Sequence, residues 1–188
     1  NAYREIETRC GGSQNSTPWH TVNQYVKRVV INADLVPQNC GFWFANAYQN
    51  KTITGLDRFE MSKCKSAERM FYGNRELIEL NMPTWNFASC ETFSGMFQEC
   101  QKLQKISVDG WTFSNNLRAD AFQNIFRESY SVTELDLSSW EIEQSSNSAF
   151  SFNDSFSYCR QLQKLSFPHL VGNSSPATGN VWTSWYYG

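Results

Sequence analysis

The sequence predicts an α/β solenoid with short parallel strands on one face and short helices on the other. Three observations predict it: an anchor residue, usually aromatic, recurs every 24 to 30 residues, aliphatic residues follow it at fixed offsets, and a small hydrogen-bonding residue stands between them. One unit of this length leaves its apolar side uncovered. Stacked copies cover one another, so we expect a continuous core that runs along the stack.

The helical part of each unit is predicted around the anchor. In the clearest copy, Phe93, Met96 and Phe97 have the spacing i, i+3 and i+4, which places them on one face of a short helix. Phe97 is the anchor of that copy. The anchors of the other copies are predicted to be His20, Ala47, Phe71, Phe126, Phe156 and Tyr186.

A strand is predicted after each helix, because positions six and nine after the anchor are apolar in six copies. The run Leu103, Ile106 and Val108 shows the spacing L-x-x-L-x-L of a leucine-rich repeat. The residues at position nine are Val29, Leu56, Leu80, Ile106, Leu135 and Leu165. A bulky residue at position fourteen is expected to close the strand as a wall of the core. These residues are Met61, Trp85, Trp111, Trp140 and Leu170.

A small polar residue follows each anchor by three positions and is expected to bond turn backbone groups that would otherwise be buried unpaired. The column contains Asn23, Asn50, Asn74, Cys100, Ser129 and Cys159. Another column of small residues contains Cys40, Cys64 and Cys90. Helical layers pack about 8–10 Å apart, farther than a disulfide spans. We therefore expect mostly free, buried thiols, and the scarcity of His argues against a zinc site.

The later repeats read RMFYGNRELIELNMPTW, GMFQECQKLQKISVDGW, NIFRESYSVTELDLSSW and DSFSYCRQLQKLSFPHL. They resemble the M-F-x-x-C-x-x-L-x-x-L-D-L-S-x-W units of the BspA-like leucine-rich repeat family of bacterial surface proteins, from about Trp43 to Leu170. The chain departs from that pattern where Asn50 and Asn74 replace Cys, and where residues 168–170 replace S-x-W. The resemblance implies a leucine-rich-repeat solenoid that attaches to host proteins or cell surfaces.

Residues 1–18 are predicted to be an N-terminal cap or a partial repeat. Residues 19–188 are predicted to form the solenoid, with about six repeats and, at residues 183–188, the start of a seventh. An open solenoid end exposes apolar surface and strand edges. We therefore expect the rest of a longer chain, or a neighbouring subunit, to cap the open repeat end.

The composition restricts the classes of partner and the location. A formal charge of −2 and a pI near 5.7 give no electrostatic basis for binding nucleic acid. The sequence contains no apolar run of about 20 residues, so we expect no membrane insertion. Only 18% of residues are charged, and Ser and Asn are abundant. This favours an extracellular or cell-surface location, with a virus particle as the alternative.

The sequence predicts that the protein is not an enzyme and uses no cofactor. It contains no nucleophile elbow, P-loop or H-E-x-x-H motif. Carboxylates on a flat sheet lack the cleft that separates the environments of a catalytic acid and base. No clustered calcium loop is present, and His20 and His169 are too few and too dispersed for a metal site.

The outward side of the predicted sheet is the candidate binding surface, since solenoids commonly bind partners there. We also include Tyr72 and Tyr158 among the candidate binding residues. They lie at the exposed turn after the predicted helix, and such rings are favoured at interfaces. The candidates on the sheet are Asp57, Phe59, Glu79, Asn81, Lys105, Ser107, Glu134, Asp136 and Lys164.

We predict a non-catalytic binding or adhesion module of a bacterial cell-surface or secreted protein that recognises a protein or cell-surface partner. One alternative is a fibre or decoration domain of a bacterial virus. Another is an accessory module of a carbohydrate enzyme, which would require a catalytic domain elsewhere in the same polypeptide.

Overall fold

The computed structural model describes residue 13 and residues 16–143 and 151–171, and within them the chain winds into stacked coils. The coils are numbered by the strand of their first side: Arg28–Val30, Thr52–Thr54, Glu79–Asn81, Lys105–Ser107, Glu134–Asp136 and Lys164–Ser166. The third to the sixth coil each have two short strands and a third side made of turns. The prediction of an α/β fold with helices on one face is wrong, because the described residues contain no α-helix. Their helical elements are the 3-10 turns Asn23–Tyr25 and Leu56–Arg58. The fold is a β-solenoid.

The described residues contain ten strands of two or three residues each. In chain order they are β1 (Arg28–Val30), β2 (Thr52–Thr54), β3 (Glu79–Asn81), β4 (Asn86–Phe87), β5 (Lys105–Ser107), β6 (Thr112–Phe113), β7 (Glu134–Asp136), β8 (Glu141–Glu143), β9 (Lys164–Ser166) and β10 (His169–Val171).

The predicted strands form the first side of the solenoid. They pair in parallel, as β1 with β2, β3 with β5 and β7 with β9. The register places Leu80 beside Ile106 and Leu135 beside Leu165. The predicted alignment of position nine is therefore confirmed for these four residues.

The second side is a parallel sheet of β4, β6, β8 and β10, which the sequence reasoning did not predict. Each of these strands begins one residue after the wall position, as Asn86 does after Trp85 and Thr112 after Trp111. His169 pairs with Glu141, so Pro168 and not Leu170 continues the wall column after Trp140. Pro168 is buried, whereas Leu170 is exposed.

The third side consists of overlapping β-turns at the place where helices were predicted. In the coil at Phe93–Cys100, backbone N–H groups donate to the carbonyl three residues earlier, from Met96 to Phe93 at 3.0 Å and from Cys100 to Phe97 at 3.3 Å. The third residue of each turn has a positive φ, as type II turns require: 62° at Gly95 and 60° at Glu99. Turns of this kind bring Phe93, Met96 and Phe97 to the interior with the spacing of a helical face.

The remaining N–H groups of this segment explain why turns and not a helix form. Every second N–H donates to the next coil: Phe93 to Ala121 at 2.7 Å, Gly95 to Gln123 at 2.8 Å, Phe97 to Ile125 at 2.8 Å and Glu99 to Arg127 at 2.8 Å. An α-helix satisfies its N–H groups internally and has none to offer to a neighbour. The coils are thus joined by backbone bonds on all three sides.

The core is one continuous cluster that extends from Cys40 to Phe156, with stacked aromatic columns along it. The anchor column stacks Phe44 on Phe71, then Phe97, Phe126 and Phe156, with ring centroids 5.5, 5.5, 5.2 and 6.2 Å apart. The prediction that Ala47 is the anchor of the second coil is therefore wrong, because Phe44 occupies that place in the anchor column.

The strand of the second coil departs from the predicted frame as well, by three residues at Ile53 and by two at Phe59. Ile53 pairs with Val29 and points inward, so it holds the ninth position that was predicted for Leu56. Phe59 stacks on Trp85 at 6.2 Å and begins the wall column that was predicted to begin with Met61. The column continues through Trp111 and Trp140 at spacings of 5.9 and 5.5 Å.

Candidate functional site: the outward strand face

The outward strand face is the solvent side of β3, β5, β7 and β9, and it holds seven of the predicted binding residues. In each strand the central aliphatic residue points into the core and the residues on either side of it point out. The predicted residues found here are Glu79, Asn81, Lys105, Ser107, Glu134, Asp136 and Lys164.

The face carries a column of alternating charge. Glu79 lies in register with Lys105, and Glu134 lies in register with Lys164. The ammonium of Lys164 contacts the carboxylate of Glu134, and this contact raises the pKa of Lys164. The order along the solenoid axis is therefore negative, positive, negative, positive.

Asp136 has the most strongly organised carboxylate on this face. Its Oδ1 accepts hydrogen bonds from the hydroxyl of Ser138 at 2.6 Å and from the Ser138 backbone N–H at 3.0 Å. These bonds, the hydroxyl first, lower the pKa of Asp136. The carboxylate is thus held ionised and oriented at the surface.

Two predicted binding residues lie elsewhere. Phe59 is only 5% exposed and packs between Trp43 and Trp85, so it is unavailable to a partner. Asp57 is exposed but lies in the 3-10 turn Leu56–Arg58 and not on a strand. Both misplacements arise in the second coil, where Phe59 lies at the wall position that was predicted for Met61.

The third side carries a surface network around Glu99 that includes the predicted Tyr72. The Tyr72 hydroxyl donates to one carboxylate oxygen of Glu99 at 2.5 Å, and the Arg75 guanidinium donates to the other at 2.7 Å. Arg75 lies over the ring of Tyr48, and Arg69 lies over the ring of Tyr72. Burial, and then the hydrogen bond to Glu99, raises the pKa of Tyr72 to about 12.

A second network with the same residue types surrounds Glu128 one coil farther on and includes the predicted Tyr158. Glu128 accepts from the Tyr130 hydroxyl at 3.1 Å and from Arg127 at 3.3 Å. Arg127 lies over Tyr158, and Arg160 lies over Tyr130. Sequence reasoning missed the Arg and Glu partners. The signal that could have found them is the recurrence of Tyr and Arg just after the anchor.

The small polar column performs its predicted task. Asn74, Cys100, Ser129 and Cys159 each donate to a backbone carbonyl of the preceding coil, at distances from 2.8 to 3.3 Å. Asn50 is fully buried and donates to Asn74 of the next coil at 2.9 Å. The column is structural and not part of a binding surface.

The described cysteines pack inside the coils, as predicted. Cys40, Cys64, Cys90, Cys100 and Cys159 carry free thiols, and burial raises the pKa of Cys100 and of Cys159 to about 12. The spacing argument for them is wrong, however. It assumed helical layers, whereas paired strands lie about 4.8 Å apart, a distance that a disulfide can span.

The described residues contain neither a metal-binding cluster nor a membrane-spanning helix. Within residues 16–143 and 151–171, no three His, Cys, Asp or Glu side chains converge in a way that would hold a metal ion. No helix in that part of the chain has the length and apolar character needed to cross a membrane.

Several predictions fall outside the described residues. These are the positions 1–12, 14 and 15 of the predicted N-terminal cap, Cys10, and the predicted start of a seventh repeat at residues 183–188 with its anchor Tyr186.

The comparisons with known proteins agree with a repeat architecture. A comparison with curated proteins gives no significant match. The family described as "Mycoplasma protein of unknown function, DUF285" matches residues 38–165, from the second coil to the last described strand pair of the first side. This match covers most of the chain and most of the described solenoid, so the chain belongs to the DUF285 family.

Proposed function

We propose that this protein is a non-catalytic binding or adhesion module of a bacterial cell-surface or secreted protein. It recognises a protein or cell-surface partner through the outward strand face and the adjoining turns. One observation carries the proposal. From coil to coil the inward strand position stays aliphatic, as Leu80, Ile106 and Leu135 show, while the outward positions change among Glu, Lys, Asn, Ser and Asp.

This contrast indicates that the inward and the outward residues of each strand have different roles. Stacking requires the inward residues to match their neighbours in size, because each coil covers the next. The outward residues meet no such requirement and are available for recognition. A rigid backbone also holds them at fixed spacing, which reduces the entropy lost on binding.

The resemblance to BspA-like repeats supports a location at the cell surface. BspA-like proteins contain domains of the DUF285 family, to which this chain belongs. The resemblance implies attachment to host proteins or cell surfaces, and we propose the same class of partner for this chain. The sparse charge of the sequence supports the same location.

The proposal includes no catalysis, no cofactor and no nucleic acid partner. The outward strand face has no cleft in which two carboxylates could acquire different pKa values. Its charges alternate in sign, whereas a phosphate backbone selects a basic surface. We further propose that the apolar recess between Trp19, Val29 and Phe59 is covered by more of a longer chain or by a neighbouring subunit.

The test is binding of the fluorescently labelled protein to intact bacterial and animal cells, measured by flow cytometry. The variant Asn81→Ala/Asp136→Ala removes two outward polar groups of β3 and β7. We expect its binding to fall about tenfold, as for loss of a contact worth about 1.4 kcal/mol.

The matched control is Asn86→Ala/Thr112→Ala, which removes two outward polar groups from the other sheet. It should bind cells as the unaltered protein does. The proposal fails if the unaltered protein binds no cell, if the β3/β7 variant binds normally, or if both variants lose binding equally.

A further inference from the structure

The alternating charge column of the outward strand face has a geometric property that points to a specific partner. From the third coil to the sixth, the column reads Glu79, Lys105, Glu134 and Lys164, with one charge per coil and all four side chains exposed. Reversing the order of the coils exchanges every negative charge for a positive one. The column is therefore complementary to its own reverse.

We propose that the outward strand face binds the same face of a second copy of this chain, with the two solenoids antiparallel. The two-fold axis lies between the two faces, runs parallel to the strands, and passes between the coils of Lys105 and Glu134. Rotation about this axis brings the two faces together and reverses the order of the coils. Glu79 then opposes Lys164 of the second copy, and Lys105 opposes Glu134. All four column positions face an opposite charge, as an isologous interface requires.

The other face-to-face arrangement is disfavoured by the same charges when its axis passes through the column. A two-fold axis along the solenoid, passing through the column, keeps the coil order and places Glu79 opposite Glu79 and Lys105 opposite Lys105. Like charges in close apposition disfavour association. The charge pattern thus selects one of the two symmetric arrangements.

The neighbouring outward column supports the antiparallel arrangement. It holds Asn81, Ser107, Asp136 and Ser166 in the same four coils. Under the same axis Ser107 opposes Asp136, whose carboxylate oxygen is already oriented by Ser138. The Ser107 hydroxyl donates to Asp109 at 3.1 Å within the chain and must turn away from it to donate to Asp136. Asn81 opposes Ser166. Each of these pairs contains a hydrogen-bond donor and an acceptor.

The size of the face predicts a weak dimer. Four coils about 4.8 Å apart and a width of about eight residues give a face of about 19 Å by about 26 Å, or about 500 Å² in projection. A stable interface buries about 800 Å² on each partner. Association should therefore depend strongly on concentration, and on salt because the pairs are exposed.

This inference rests on the proposed function in that it names a partner for the same face, but its test is independent of cell binding. The experiment measures sedimentation velocity of the whole protein at increasing concentration and at low salt. We expect a monomer–dimer equilibrium that 0.5 M salt, with a Debye length of roughly 4 Å, shifts to monomer.

Charge-reversal variants test the register. Lys105→Glu alone places carboxylates opposite each other at two symmetric positions, and Glu134→Lys alone places ammonium groups opposite each other. Each variant should be monomeric. An equimolar mixture of the two should dimerise again, because the new carboxylate at position 105 faces the new ammonium at position 134 and the unaltered partners also match. Thermal melts of both variants check that the fold is retained.

The proposal is overturned if the unaltered protein stays monomeric, if either single variant dimerises like the unaltered protein, or if the mixture stays monomeric. A monomeric protein that binds cells would refute the dimer and leave the proposed function standing. A dimer that binds no cells would refute the proposed function alone.

Discussion

At the scale of single residues, the left-handed backbone positions decide how the coils turn. Eight described residues other than glycine have a positive φ on the turn side. Six of them form three pairs four residues apart, as Asn124 and Glu128 do, and Arg69 and Glu99 are paired in the same way with Gly73 and Gly95. A positive φ costs a side chain about 1–2 kcal/mol. At six of the eight, from Phe42 to Glu128, the backbone N–H donates to the next coil, and these hydrogen bonds offset that cost.

Gly55 is the residue at which a side chain is excluded outright. Its φ is +83°, and a Cβ would lie 2.1 Å from the carbonyl oxygen of Ile31 in the preceding coil. We expect Gly55→Ala to lower the free energy of unfolding by about 3 kcal/mol or more, because backbone of two coils must separate. Urea-induced unfolding measures the change.

Gly95→Ala is the matched control. Gly95 also has a positive φ, of +62°, but its Cβ would meet the side chains of Gln98 and Arg69 at 3.0 and 3.1 Å. Those flexible ends can move, so we expect a loss of only about 1 kcal/mol. Equal losses at both positions would contradict the close approach of the first two coils at Gly55.

At the scale of elements, the turn side replaces a helix because its backbone donors are shared between coils. The small polar column completes this arrangement by giving a second donor to the anchor carbonyls. Ser129 shows it clearly, since its hydroxyl donates to the carbonyl of Phe97 at 2.9 Å in a fully buried site.

Ser129→Ala should lower the free energy of unfolding by about 1–2 kcal/mol, because the buried Phe97 carbonyl loses a donor. Ser129→Cys should restore most of that loss, since Cys100 and Cys159 make the same bond at equivalent positions. Chemical denaturation of the three proteins measures both effects. If the Cys and Ala variants are equally unstable, the hydrogen bond is not what selects residues in this column.

At the scale of the whole molecule, stability depends on each coil having neighbours on both sides. Leu135 lies in the fifth coil and is 1% exposed, whereas its register partner Leu165 in the sixth coil is only partly buried. The same side chain in the same column therefore loses different amounts of contact when it is shortened.

Leu135→Ala should cost about 2–5 kcal/mol, as a fully enclosed cavity does. Leu165→Ala should cost roughly half of that or less, because less apolar surface returns to water. Thermal unfolding followed by circular dichroism measures both. Similar losses at the two sites, or a change below a degree in the melting temperature of Leu135→Ala, would contradict the stacking order.

The sequence alone was sufficient to predict the solenoid, the register of Leu80 with Ile106 and of Leu135 with Leu165, the role of the small polar column and most of the outward strand face. These features recur once per repeat, and residues that recur at this interval lie beside one another when the coils stack. The Tyr72 and Tyr158 networks were predicted only in part, because Glu99, which accepts from Tyr72, and Arg127, which lies over Tyr158, each come from a neighbouring coil.

Only the tertiary structure decided between helix and turns. Phe93, Met96 and Phe97 have a spacing that suits both, and the choice depends on whether backbone N–H groups bond within the segment or to the next coil. Which residues of the second coil face inward was decided there too, by the pairing of Ile53 with Val29 and the packing of Phe59 on Trp85. Side-chain periodicity is a local property of the chain, whereas the partner of each backbone donor is a property of the assembled stack.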